Sequence, residues 1–468
     1  MKTLIIASEI SPFIATGDLA ESVYSVAKGL SLNNESVSVM LPFYKAIKQK
    51  KENFDFLGNT FVNIGNNTKY VGIYSKKIDA IDYYFIDNEE YFGHDTIYGH
   101  HNDGERFTYF SQAALEALHV IKYYPDVINI HDWQSGIIPY LLKSKYKYNQ
   151  NYRKIKTIFT IHDLKYQGIF PIEMQDIIDA NISSVLYVDN KINFTKAAIV
   201  EADYITTVSH TYHKETLTEK STLQQYLIDR KDEYVGILTG FDDTKYNPKS
   251  DNIIYLPYDS SNFVVNKEYN KTKFKEEFGF SNTNCMLIGF AAIDIPLNAR
   301  IILKETLDWF LNTDIQVYFL LQYDHDNFVA ELAQKYPDRI KYSIGIKEEI
   351  GHKLFSAVDM IIHPHEKIIS NTYQLISLFY GDIPLVHETG KMKEFITPYN
   401  AYTGEGNGFS FINISPEDFT KVFDLAYGLY RFNRKEWNLL VKRNLEKEFG
   451  CAYFAKEYIN ICKKITNN

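Results

Sequence analysis

Four segments of this chain end a β-branched, apolar run on side chains that can do chemistry. Residues 156–161, K-T-I-F-T-I, stop at His162-Asp163, with Gly168 and Pro171 following. Residues 126–130 run into His131-Asp132-Trp133, residues 3–8 into Glu9, and residues 204–208 into Ser209-His210. Runs of this kind, bounded by charge and by turn residues, read as strands buried on both faces of a parallel sheet. Open α/β sheets bind ligands beyond the carboxyl ends of their strands. The active site is therefore expected at one rim, where these imidazoles and carboxylates collect.

Such a rim needs strands alternating with helices. In the first half, strands are expected at 3–8, 36–42, 70–74 and 81–86, helices at 19–32, 105–123 and 135–146, with the strands that close on His131 and His162 between them. The pattern restarts after 236–248. Strands are expected at 285–292, 315–321, 339–344, 360–363, 383–386 and 409–411, then closing helices at 417–431, 435–449 and 452–464. Alternation of this kind implies doubly wound α/β sheets. A chain of 468 residues exceeds what one hydrophobic core usually supports, so two domains are expected. They are assigned to 1–245 and 246–448, facing across a cleft, with 449–468 packing back on the first. The linker falls within 239–252, where Gly240, Asp242, Asp243 and Pro248 cluster.

Composition excludes several classes. A net charge of −9 with no basic stripe argues against nucleic-acid binding. Three scattered cysteines, Cys285, Cys451 and Cys462, make neither a disulfide framework nor a zinc site and point to a reducing cytoplasm. Met1-Lys2 leads straight into a strand, so neither a signal peptide nor a membrane span is expected. The 37 Tyr and 31 Phe are spread along the chain, as an AT-rich genome would leave them.

Six ordered segments resemble bacterial glycogen synthase and plant starch synthase. They are S-E-I-S-P-F-I-A-T-G-D-L-A-E near the start, H-D-W-Q at 131–134, T-I-H-D-L-K-Y-Q-G-I-F-P, T-T-V-S-H-T-Y at 206–212, G-I-L-T-G-F-D at 236–242 and Y-G-D-I-P-L-V-H-E-T-G at 380–390. The closing F-G-C-A-Y-F-A-K-E-Y is similar too, so the likeness runs from end to end. It implies the GT-B arrangement of two Rossmann-like domains. It also implies retaining transfer of glucose from ADP-glucose to an α-1,4-glucan, with no metal and no cofactor. The implied partners are an α-glucan and a nucleotide sugar, with no nucleic acid and no membrane.

On this resemblance His162 is the catalytic histidine beside the donor sugar and Trp133 lies on the acceptor side. Gly17, Asp132, Thr239 and Thr372 are on the donor side, and Asp103, Glu105, Arg106 and Phe107 match a segment that buttresses the domain. Four of these residues also have a structural reading. His162 would cap the strand edge, Trp133 would pack, Asp132 would cap a helix, and Gly17 would serve a turn of positive φ.

The family's donor site departs here at several positions. Its Lys-Thr-Gly-Gly-Leu turn is Ala15-Thr16-Gly17-Asp18-Leu19, where Asp18 and Glu21 have the form of a capping box. The arginine and lysine that follow the first strand of the second domain are Ile293 and Asn298, with Arg300 close by. The glutamate-bearing loop is 364–374, with Ile368 for the glutamate, Asn371 for a glycine and Glu366 two places away. Thr239 replaces an asparagine and Ile346 an aromatic residue. Lost cations beside a diphosphate imply weak or absent synthase activity. The alternative is a catalytically silent relative that binds glucan, or an active synthase, as a scaffold or regulator.

Overall fold

The computed structural model describes residues 1–50, 52–281, 284–311, 313–345, 347–363, 372–388 and 392–467, with the backbone alone at 307–311 and 372. The chain divides into two compact units, Met1–Gly240 with Gly450–Asn468, and Phe241–Phe449.

The first unit is built on strands β1 (Lys2–Ile6), β2 (Ser36–Pro42), β3 (Asp55–Ile64), β4 (Asn67–Ile78), β5 (Ile81–Asp87), β6 (Val127–His131), β7 (Lys156–Ile161), β11 (Tyr204–Thr207) and β12 (Tyr234–Gly236). They form one sheet in the order β12-β11-β7-β6-β1-β2-β5-β4-β3. It is parallel from β12 to β5 and antiparallel at the β5-β4-β3 edge. β7 is buried over five of its six residues, as a strand covered by helices on both faces must be. A small separate sheet joins β8 (Ile169–Phe170), β9 (Tyr187–Val188) and β10 (Lys191–Asn193).

The long β3–β4 hairpin departs from the sequence expectation, which placed only a short strand at 70–74. Most of β3 is exposed and its apolar residues are interleaved with polar ones, so no buried run announces it. The helix expected at 135–146 is shorter, Ile138–Ser144. It follows a 3-10 turn at Trp133–Ser135 and carries Pro139 in its first turn, a position suited to proline's fixed φ. The helix Cys451–Thr466 packs on Asp18–Leu32 at Gly29, where a Cβ would come within 2.8 Å of the Ala455 Cβ. Glycine inside a helix is unfavourable by about 0.5–1 kcal/mol, and here it permits close approach of the two backbones.

The second unit carries β13 (Met286–Ala292), β14 (Ile315–Leu321), β15 (Ile340–Ile344), β16 (Met360–His363), β17 (Ile383–His387) and β18 (Phe409–Phe411). All are parallel, in the order β15-β14-β13-β16-β17-β18. Counted within the unit this is 3-2-1-4-5-6, the Rossmann order. Among the described residues no helix is long and apolar enough to cross a membrane.

Candidate active site

Because the order runs β11-β7-β6-β1, the four segments picked out by sequence end side by side. His131 closes β6 and is completely buried, and its Nδ1 lies 2.9 Å from Nε2 of His162, the residue after β7. Burial holds the His131 imidazole neutral, lowering its pKa to about 3. The Asp132 N–H donates to Thr160 O at 3.1 Å, and Asp132 Oδ1 accepts from the His162 N–H at 2.8 Å. The two histidines are thus fixed by their backbones as well as by their rings.

Asp132 has φ 54° and ψ −176°, a conformation costly for any residue but glycine and found mainly where a site over-determines it. Its side chain makes no helix-cap bond, contrary to the capping role considered above, because that carboxylate is engaged by His162 on the neighbouring strand. Burial pushes the Asp132 carboxyl up to about 7; backbone N–H groups of His162 and Asp163 oppose this, while the charges of Asp163 and Glu9 add to it. The rim therefore holds a carboxyl that exchanges its proton near neutrality beside a pair of imidazoles.

Glu9 is the residue whose part sequence reasoning missed. It is 3% exposed and accepts from the Thr16 N–H at 2.6 Å, from Thr16 Oγ1 at 3.0 Å and from the Tyr98 hydroxyl at 2.9 Å. Burial raises its pKa despite these bonds and a further one from the Gly17 N–H. A glutamate three residues beyond a mainly apolar strand was the available signal.

Glu9 also corrects two expectations about the turn. The helix begins at Asp18, with Gly17 in the cap position and no side-chain cap bond, so Asp18 and Glu21 do not form a capping box. Glu21 instead accepts a hydrogen bond from Ser11 Oγ. The internal carboxylate that takes the turn's N–H groups is Glu9, reached from β1. Gly17 has φ −162°, extended backbone that any residue adopts, so positive φ is not its reason. A Cβ there would meet nothing within 4 Å among the described residues. Lys50 donates to the carbonyls of Pro12 and Phe13 at 2.8 and 2.7 Å, upstream of Ala15.

Trp133 is packed edge-on to Phe107 at 5.1 Å and against Phe170 at 5.5 Å. Gly168 has φ +62°, and a Cβ on it would lie 2.7 Å from the Trp133 ring, so glycine is required there twice over. Arg106 is buried beneath this wall, donating from Nε to Tyr91 O at 2.7 Å and pairing with Asp103. Thr239 is buried just before the boundary between the units.

The rim of the second unit has a different chemistry. Ile293, just beyond β13, is 53% exposed, and Leu297, at the start of the helix Leu297–Leu311, is 74% exposed. Its second residue, Asn298, has no acceptor for its side-chain N–H groups among the described residues, and its Oδ1 accepts from the Ala299 N–H. Arg300 is fully engaged within its own neighbourhood, donating from Nε to Ile295 O at 2.7 Å and forming ion pairs with Asp294 at 3.3 Å and with Asp326. Thr372 opens the helix Thr372–Phe379. Ile346, Glu366, Lys367, Ile368, Asn371 and Lys391 lie outside the described residues. Among the described residues no group of three or more His, Cys, Asp or Glu is placed to hold a metal ion.

Two Rossmann-type units, the first with a histidine pair and a carboxyl at its C-terminal rim, are the parts from which glycosyltransferases of the GT-B class are built. Residues 2–229 match the starch synthase catalytic domain family. The chain is 34% identical over 473 aligned positions to the glycogen synthase of Acholeplasma laidlawii (strain PG-8A), covering 99% of both chains. It is 33% identical over 492 positions to the glycogen synthase of Bacillus subtilis (strain 168), covering 100% of this chain and 99% of that one. The catalytic domain of starch synthase IV from Arabidopsis thaliana, solved bound to ADP and acarbose, matches the fold with a TM-score of 0.86 at 22% identity, over 100% of this chain and 99% of that one. The chain belongs to the glycogen synthase and starch synthase family.

Proposed function

We propose that this protein has the architecture of a retaining α-glucosyltransferase of glycogen metabolism but turns over ADP-glucose weakly or not at all. Its ligands are then a nucleoside diphosphate sugar and an α-glucan, the classes represented by the ADP and acarbose of the Arabidopsis relative. The observation that carries the reading is Arg300. It is the basic side chain closest in sequence to the two lost cation positions, and its guanidinium is held by Asp294, Asp326 and the Ile295 carbonyl. Exposed Ile293 and Leu297 offer a diphosphate no charge to replace it.

Each charge-assisted contact to phosphate contributes about 2 kcal/mol, so three lost contacts amount to about 6 kcal/mol, or roughly four orders of magnitude in affinity. The histidine pair and Asp132 on the first unit remain suited to a sugar, through a donor N–H and a polarisable carboxyl. That combination also favours a second reading, a glucan-binding scaffold or regulator without transferase activity.

Calorimetry with ADP-glucose should give no measurable heat of binding, and incorporation into glycogen should stay near background. Micromolar binding with sustained transfer overturns the proposal. Retention on a glycogen column without transfer selects the scaffold reading. Restoring the charges together through Ala15→Lys, Asp18→Gly, Ile293→Arg, Asn298→Lys and Ile368→Glu should raise activity.

A further inference from the structure

His131 and His162 confront each other with ring nitrogens 2.9 Å apart, a distance at which one must donate and the other accept. Two features decide the direction. His131 is completely buried and held neutral, so its ring carries one proton on one of two nitrogens. Its other nitrogen, Nε2, is buried and has no hydrogen-bond partner among the described residues. A proton on Nε2 would make an orphaned buried N–H, a group that folded proteins almost never leave unpaired. A proton on Nδ1 leaves a bare lone pair at Nε2 and places the N–H where His162 receives it.

We propose that His131 is a positioning residue whose Nδ1–H fixes His162 in one tautomer, with Nε2 accepting and the proton on Nδ1. A His162 ring that accepts at Nε2 carries its proton on Nδ1. The frame for this is rigid. His131 is the last residue of β6, its carbonyl accepts from Ser135 Oγ at 3.0 Å, and the His162 N–H is held by Asp132. Among the described residues, the charges of Asp163 and Glu9 act on Asp132, the carboxyl that holds the His162 N–H, and the Tyr212 hydroxyl accepts from the Leu164 N–H. The preference of a free histidine side chain for a proton on Nε2 is thereby reversed by a completely buried neighbour. The inference gives His162 its form whether or not the protein transfers glucose, so its test does not depend on the function proposed above.

The test is the nitrogen spectrum of the full-length chain labelled with 15N-histidine, above the titration of ordinary histidines. The His162 signals are assigned by comparison with His162→Gln. Native protein should show His162 with a pyrrole-like Nδ1 and a pyridine-like Nε2. His131→Leu should shift His162 toward the Nε2-protonated form. His131→Asn, whose side-chain amide N–H can stand in for Nδ1–H, should keep the native pattern. A native His162 protonated on Nε2 overturns the proposal, as does a His131→Leu protein, folded by circular dichroism, whose His162 spectrum is unchanged. If His131→Leu fails to fold, the native and His131→Asn spectra decide between the two tautomers.

Discussion

Replacing Asp132 by asparagine should raise stability at alkaline pH and leave it nearly unchanged in mild acid. The substitution keeps the oxygen that accepts from the His162 N–H, and asparagine tolerates the positive φ as aspartate does. Only the charge is lost. The carboxyl titrates at 3.8 when unperturbed and at about 7 in the fold, because burial disfavours the anion. The sign follows from proton linkage. Between these two values the folded state holds a proton that the unfolded state has released, so this group's contribution to stability is intact at low pH and lost as pH rises through 7.

From pH 5 to pH 8 the wild type should lose about 2.5 kcal/mol through this group, and the asparagine variant none of it. For a unit of this size that corresponds to roughly 5–10 °C in midpoint temperature. The assay is differential scanning calorimetry of both proteins at pH 5 and pH 8, following the transition of the first unit. A gain from the substitution that is equal at the two pH values would refute the assignment of a half-buried, proton-holding carboxyl to this position.

Gly168→Ala should destabilise the first unit by roughly 2–4 kcal/mol, through the positive φ and the collision with Trp133, measured by denaturant unfolding. Gly17→Ala should leave the midpoint within about 1 kcal/mol of wild type, since neither φ nor packing opposes a Cβ there; a large loss of stability would show that the turn is strained. In the second unit, His352 Nδ1 lies 2.7 Å from Asp251 Oδ2, with both side chains buried and the Tyr246 ring stacked on the imidazole at 4.4 Å. His352→Leu leaves Asp251 without that partner and should destabilise the second unit by about 3–5 kcal/mol, read in the same calorimetric scan.

The chain announced the rim residues because each follows a run rich in β-branched and apolar residues, the pattern of a strand buried on both faces, and stands where that run gives way to polar side chains. Its α/β alternation was legible for the same reason, and so was the family resemblance carried by six spaced motifs. The β3–β4 hairpin was not, since a half-exposed strand lacks that contrast. Three features came only with the tertiary structure. Strand order placed β6 beside β7 and so brought His131 to His162; β1 brought Glu9, rather than Asp18, to the N–H groups of the turn; and the folding of the segment after β13 turned Arg300 onto Asp294 and Asp326. The sequence by itself determined which side chains stand at strand ends, because periodicity and burial are local. Which of them meet, and which carry a proton, depends on pairings and desolvation set by contacts far apart in the chain, and only the tertiary structure decided that.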